Sequence, residues 1–147
     1  MNFSDFNNKF QLFVSDLNKN MELVVKANEE PLVQINREQM QSGINAEGQT
    51  IGAYRSASYA KFKKAMGSKS PYRVPDLLLT GSFQDKMTLE TDDRDYFITS
   101  TDSKTGDLME KYKENGNIFG ITPKNIPLAQ AINTKKLAQM LKQATGL

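Results

Sequence analysis

Few residues of this chain can do chemistry, and those that can are poorly partnered. Its 147 residues include no histidine, cysteine or tryptophan. A serine or threonine nucleophile needs a base to take its proton, and histidine, the usual one, is absent. Paired carboxylates can cleave glycosidic bonds where burial raises one of the two pKa values. Glu110 and Glu114 are the best-spaced pair, but they lie in a lysine-rich segment where Lys111, Lys113 and water answer them more simply. Asp102-Ser-Lys-Thr-Gly-Asp107 has the outline of a calcium loop, yet a lysine stands at a ligand position and the terminal glutamate is missing. Asp92, Asp93 and Asp95 can gather a hard cation, although aspartates so placed are ordinary turn formers.

Gly43-x4-Gly48-Gln49-Thr50 has the glycine spacing of a phosphate loop. Glutamine replaces its lysine and a helical pattern rather than a strand precedes it, so an ordered glycine turn is the better reading. Lys61, Lys63 and Lys64 interleave with Tyr59 and Phe62. That leaves two readings open: a basic face turned to solvent or an acidic partner, and a contact with a nucleic-acid backbone. None of these groups implies a cofactor or a metal. The palette points to a building block rather than an enzyme.

Composition sets the class around them. Nineteen basic and 17 acidic residues leave a net charge of +2, too balanced for attraction to nucleic acid by bulk electrostatics. A hydrophobic fraction of 38% with mean hydropathy -0.56 implies a modest core and a large polar surface that neighbouring subunits can cover. Without cysteine there are no disulfides or thiolate metal sites. No apolar run approaches the roughly 20 residues that span a bilayer, and the opening Met-Asn-Phe-Ser-Asp lacks a signal-peptide pattern. The expectation is a protein of the cytosol or of a larger particle, away from membranes.

The periodicity predicts one α+β domain over residues 1–147, with a long N-terminal helix, a central β-hairpin or small antiparallel sheet, and C-terminal helices. Phe6, Phe10, Phe13, Leu17, Met21 and Val24 recur at helical spacing, so one helix capped by Ser4 or Asp5 should reach Ala27. Its aromatic stripe is either a core face or a face that another subunit covers. Glu29-Glu30-Pro31 should break the pattern and open a second helix through Leu32, Ile35 and Met40, completing a helical region over 1–42. Residues 43–75 read as a loop with a short basic segment, anchored by Ile44, Ile51, Tyr54 and Tyr59. Residues 76–122 read as β-rich: an apolar strand-like run at 77–83, then strands at 86–91 and 96–101 joined by a polar turn at 92–95. Residues 106–112 can form a short helix, and Ile118 to Ile121 a strand or buried anchor. Thr122-Pro123 should start the C-terminal helices of 123–147, broken near residues 132–134.

The order of these segments resembles a family of small virion proteins of tailed phages infecting Bacteroidetes, the crAss-like group. The residues that carry it are Gln39-Met-Gln-Ser-Gly43-Ile-Asn-Ala-Glu-Gly48-Gln-Thr-Ile51, then Tyr54, Leu77-x-Leu79-Thr80-Gly81-x-Phe83 and Ile118-Phe119-Gly120-Ile-Thr-Pro123. More distantly the layout is similar to phage neck and tail-completion proteins. Those carry a Leu-Thr-Gly-x-Leu-x-x-Ser-Ile element leading into a strand hairpin and a Phe-Leu-Gly-Leu-Thr element opening a C-terminal helix. Here Phe83 stands for the usual leucine and Lys86-Met87 for Ser-Ile. The resemblance covers residues 39–126.

It implies a ring-forming structural protein near the portal vertex: a head–tail connector, head-closure or tail-completion component of the virion, present in host cytoplasm before assembly. Its partners would be further copies of itself and portal, adaptor or other neck and tail proteins, with DNA passing through the lumen without specific contact. A closed ring needs two different patches on each subunit. The aromatic face (Phe6, Phe10, Phe13) and the 43–59 loop (Ile51, Tyr54) are the candidates. The alternatives are a packaged or accessory phage protein touching nucleic acid through 59–64, and a carboxylate hydrolase using Glu110.

Overall fold

The computed structural model describes residues 1–92 and 95–147. The chain is built around α3 (Glu29–Gln41), which buries Leu32, Val33, Ile35, Asn36, Gln39 and Met40. Residues spaced this way cover a broad stripe, so most of the helix faces inward. Acidic Glu29 and Glu30 in its first turn suit the positive end of the helix dipole. Its C-terminus closes on Gly43, whose φ of 77° lets the Gly43 amide reach the Met40 carbonyl at 2.8 Å. A side chain there would collide with that of Val74, so this glycine is required twice over.

The single N-terminal helix expected to Ala27 is two helices, α1 (Phe3–Ser15) and α2 (Leu17–Ala27). The break has a visible cause: the Asn20 side-chain amide donates to the Phe13 carbonyl at 2.9 Å, taking the acceptor that a continuous helix would use. Neither Ser4 nor Asp5 is the cap; the Asn2 side chain accepts the Asp5 amide at 2.9 Å. α1 and α2 pack on the C-terminal helix, α7 (Ile126–Thr145). That helix is one continuous element, with Pro127 rather than Pro123 in its first turn. No break occurs near residues 132–134, where the Asn28 side-chain amide donates to the Asn133 side chain (3.0 Å) and the Ile132 carbonyl (3.4 Å) and so joins α7 to the α2–α3 junction.

The 43–75 loop contains a helix, α4 (Ala57–Ala65), capped by the Ser56 hydroxyl. The strand expected at 77–83 is absent. Leu77 takes a left-handed φ of 52°, incompatible with a strand, and Ser82–Asp85 is a single helical turn, α5. The β content is one hairpin: β1 (Met87–Asp92) pairs antiparallel with β2 (Asp95–Ser100), in the register Met87↔Ser100, Leu89↔Ile98 and Asp92↔Asp95. The polar turn expected at 92–95 includes Asp93 and Arg94, outside the described residues. Glu29 accepts the Leu89 amide and Lys26 donates to the Leu89 carbonyl, both at 2.8 Å, which occupies the free edge of β1. α6 (Thr105–Tyr112) and a 3-10 turn (Lys113–Asn115) follow. Ile118 and Phe119 are buried anchors rather than a strand. The class is therefore α+β, with helices at both ends of a small hairpin. No described helix is long and apolar enough to cross a membrane.

The core gathers Val33, Met40, Ile51, Phe83, Met87, Leu89 and Phe119, with the Phe83 and Phe119 rings 5.7 Å apart. Buried amides stitch its irregular parts. Asn36 donates to the Ile118 carbonyl (3.1 Å) and accepts from the Gly120 amide (2.9 Å). Gln39 donates to the Gly120 carbonyl (2.8 Å) and accepts from the Thr122 amide (3.0 Å). Gly120 has φ 132°, and a Cβ there would stand 2.9 Å from that of Ala46.

Two comparisons test this arrangement by urea unfolding. Gly43 and Gly48 share a left-handed φ, but only Gly43 is enclosed. Gly48→Ala should cost about 1 kcal/mol for the backbone alone, and Gly43→Ala clearly more, about 3 kcal/mol. Asn36→Ala should cost about 2–4 kcal/mol, since it orphans a buried carbonyl and amide together.

Candidate functional site

A cleft of about 770 Å³ opens between the 52–56 segment, the 76–82 strap and α6. Its foundation is an ion pair assembled from distant parts of the chain. α4 carries Lys63 inward, and the Lys63 ammonium lies 2.8 Å from the Asp76 carboxylate, with the two side chains only 6% and 4% exposed. Lys63 also donates to the Leu78 carbonyl. Asp76 accepts the Leu78 amide at 3.1 Å and the Tyr54 hydroxyl at 3.4 Å. Both sides of Leu78 are thus held, and with them the left-handed Leu77, a conformation that costs about 1–3 kcal/mol outside glycine.

Burial alone would raise the Asp76 carboxyl, but the Lys63 ammonium, the Ser68 hydroxyl and the Leu78 amide together outweigh it and hold the group below its usual range. The Tyr54 hydroxyl is pushed well above its usual range, by burial first and then by the Asp76 charge. A second polar group lies along the wall. Asp102 accepts the Lys104 amide (2.9 Å), the Ser82 hydroxyl (2.8 Å) and the Lys86 ammonium (3.3 Å). The amide and the hydroxyl lead in keeping its carboxyl below the usual range. Both carboxylates therefore serve the fold, and Tyr54 is a poor proton source at neutral pH.

The strap brings Leu79, Thr80 and Gly81 to the cleft, and Phe83 lies beneath them against Phe119. Gly43 and Gly120 sit deeper, at the close approaches described above, while Gly48 is exposed on the turn outside the cleft. Two of the expected subunit contacts are interior: Ile51 is 1% and Phe13 9% exposed, because each packs on its own helices or core. Phe6 and Phe10 stack on one another with centroids 6.1 Å apart, Phe10 exposed and Phe6 half-buried. Tyr54 is half-buried, edge-on to Tyr59 at 5.0 Å. Glu110 pairs with Lys113 at 2.5 Å on the surface, and Glu114 is exposed.

Of the basic run at 61–64, Lys61, Phe62 and Lys64 are exposed, as a solvated face requires, but Lys63 is turned inward. Lys63 is buried, and Lys64 donates to the Ser70 carbonyl at 2.8 Å. Asp76, between Pro75 and three leucines, carried a signal that could have been used: an acid inside an apolar run needs a buried cation. Lys104 and Lys111 carried none, since only the folded chain brings them to the same cleft as Arg55.

The depressed Asp76 carboxyl fixes the sign of a pH effect. The unfolded chain takes up this proton near pH 3.9 and the folded chain only at lower pH. The pair's contribution is therefore complete above that value and lost as pH falls through the folded pKa. Asp76→Asn should lower stability by about 3–5 kcal/mol at pH 7 by leaving Lys63 buried and uncompensated. Thermal melts from pH 7 to 2 should show the gap between variant and parent narrowing below about pH 4.

No protein-family model, curated protein or solved structure matches this chain, so its reading rests on its own residues and geometry.

Proposed function

We propose that this chain is a structural virion protein of a tailed phage, one subunit of a ring in the neck at the portal vertex, as connector, head-closure or tail-completion component. The observation that carries the reading is how the elements behind the resemblance sit in the fold. The 79–83 element delivers the chain through one helical turn into β1, and the 119–122 element delivers it into α7, with the Thr122 carbonyl accepting the Ile126 amide at 3.1 Å. The two elements meet through Phe83 and Phe119. Strand hairpin and C-terminal helix thus follow the two motifs in the order the resemblance implies.

Exposed apolar surface supports subunit contact as well. Phe3 is 83%, Leu12 66% and Leu23 50% exposed on α1 and α2, while Met66 is 66% and Leu79 62% exposed beside the cleft. Apolar exposure at two separate places suits a head-to-tail contact, in which each subunit presents two unlike patches. Further copies and portal or adaptor proteins are the proposed partners, the virion is its place, and DNA crosses the lumen without tight binding. The reading as a packaged protein holding nucleic acid through 59–64 has less support, because Lys63 is buried in an ion pair.

Quantitative mass spectrometry of gradient-banded phage particles tests the proposal. Scaled to the portal protein, the chain should be present at about six to twelve copies, the range expected of one closed ring in the neck. Hundreds of copies would place it in the capsid or tail tube, and absence from the particle would overturn the structural role.

A further inference from the structure

Charge is unevenly distributed in this nearly neutral chain. Within the cleft, Lys63 is bonded to Asp76 and Lys86 to Asp102. Arg55, Lys104 and Lys111 remain, and no other carboxylate is among the lining residues. The cleft therefore holds three surplus positive charges in a chain whose whole net charge is +2. Its walls are amphipathic: Tyr54, Tyr59 and Tyr112 with Leu78 and Leu79. Such a lining suits an occupant that is acidic and aromatic together.

By sequence the far end of the β1–β2 hairpin, residues 90–97, has that composition: four acids against one arginine, with Tyr96 and Phe97. Glu90, Asp92 and Asp95 are exposed, and beside them Tyr96 is 40% and Phe97 49% exposed. The near end of the same hairpin borders the cleft, since Lys86 and Asp102, immediately outside the strands, line it. From Met87 the ladder carries Asp92 about 17 Å further on, at about 3.3 Å per residue. With the ladder intact, the far end stands away from the Lys86 and Asp102 end that borders the cleft. It can enter the cleft of another copy.

We infer that the acidic, aromatic tip of the β1–β2 hairpin of one copy docks in the basic, tyrosine-lined cleft of the next. This rests on the ring reading above, from which the occupant is taken as a second copy of this chain. Tip and cleft are different surfaces of one subunit, so the contact is head-to-tail and propagates around a ring. Its long-range part is electrostatic, bringing tip and cleft together. Apolar contact of Tyr96 and Phe97 with Leu78, Leu79 and the tyrosines supplies the short-range part.

A charge swap tests this on the full-length chain, with sedimentation velocity as the readout and circular dichroism to verify folding. The tip variant is Glu90→Lys, Asp92→Lys and Asp95→Lys; the cleft variant is Arg55→Glu, Lys104→Glu and Lys111→Glu. The parent should self-associate, and 1 M salt, where the Debye length is about 3 Å, should weaken it. Each variant alone should associate at least about tenfold more weakly, and an equimolar mixture should recover to within a few-fold of the parent. In the mixture each tip again meets a cleft of opposite sign, which general loss of folding cannot imitate. A parent that stays monomeric, variants that associate like the parent, or a mixture that does not recover would each overturn the contact. So would a cleft variant that loses only oligonucleotide binding, which would make nucleic acid the occupant. The particle copy number is measured separately, so a failed contact and a failed virion assignment can be told apart.

Discussion

The fold depends on two buried amides, those of Asn36 and Gln39. They lie on the inner face of α3, fully buried and 6% exposed, where apolar side chains would ordinarily be placed. The segment they hold, Ile118 to Thr122, is neither helix nor strand and so cannot satisfy its own backbone groups. Asn36 and Gln39 each offer a donor and an acceptor, and between them they bind the carbonyls and amides of that segment in turn. Gln39 also accepts from the Asn125 side chain at 3.0 Å, just ahead of α7. Placement of the C-terminal helix thus follows from side-chain hydrogen bonds to one central helix.

The same device recurs where the chain is least regular. Gln84 donates to the Asp76 carbonyl at 3.0 Å and accepts from Gln41 at 2.9 Å, and Asn45 accepts the amides of Glu47 and Gln49. In this setting the Lys63–Asp76 pair is one more polar clamp, distinguished by its charges. It holds the strap in a conformation that leaves Leu79 outside. A modest apolar core with polar clamps leaves apolar side chains such as Phe3, Leu12 and Leu79 over for the surface.

Much of the architecture was legible. The second helix, its entry at Glu29-Glu30-Pro31, its stop at Gly43 and the alternation of Met87, Leu89 and Thr91 follow from local pattern. Three of the errors share one cause: a local pattern overruled by a side-chain bond to the backbone or to a buried charge. Helical periodicity continued through Asp16, but Asn20 captured the Phe13 carbonyl. The leucines at 77–79 looked like a strand, but Asp76 and Lys63 bind the backbone of Leu78. Lys63 looked solvated because its partner lies thirteen residues away, beyond two prolines. Of the candidate site, Leu79, Thr80 and Gly81 were singled out from the sequence, whereas Arg55, Lys104 and Lys111 were not.

By itself the sequence determined the α+β class, the bounds of α3 marked by Glu29-Glu30-Pro31 and Gly43, the hydrophobic side of the hairpin and the absence of histidine and cysteine. These depend on residue type and spacings of two to four, which act within one turn or one strand. Tertiary structure alone decided which charges are buried, which aromatics face out and where cations converge. Each of those depends on pairs far apart in the chain, such as Asn36 with Gly120 and Lys63 with Asp76, and local periodicity carries no information about them.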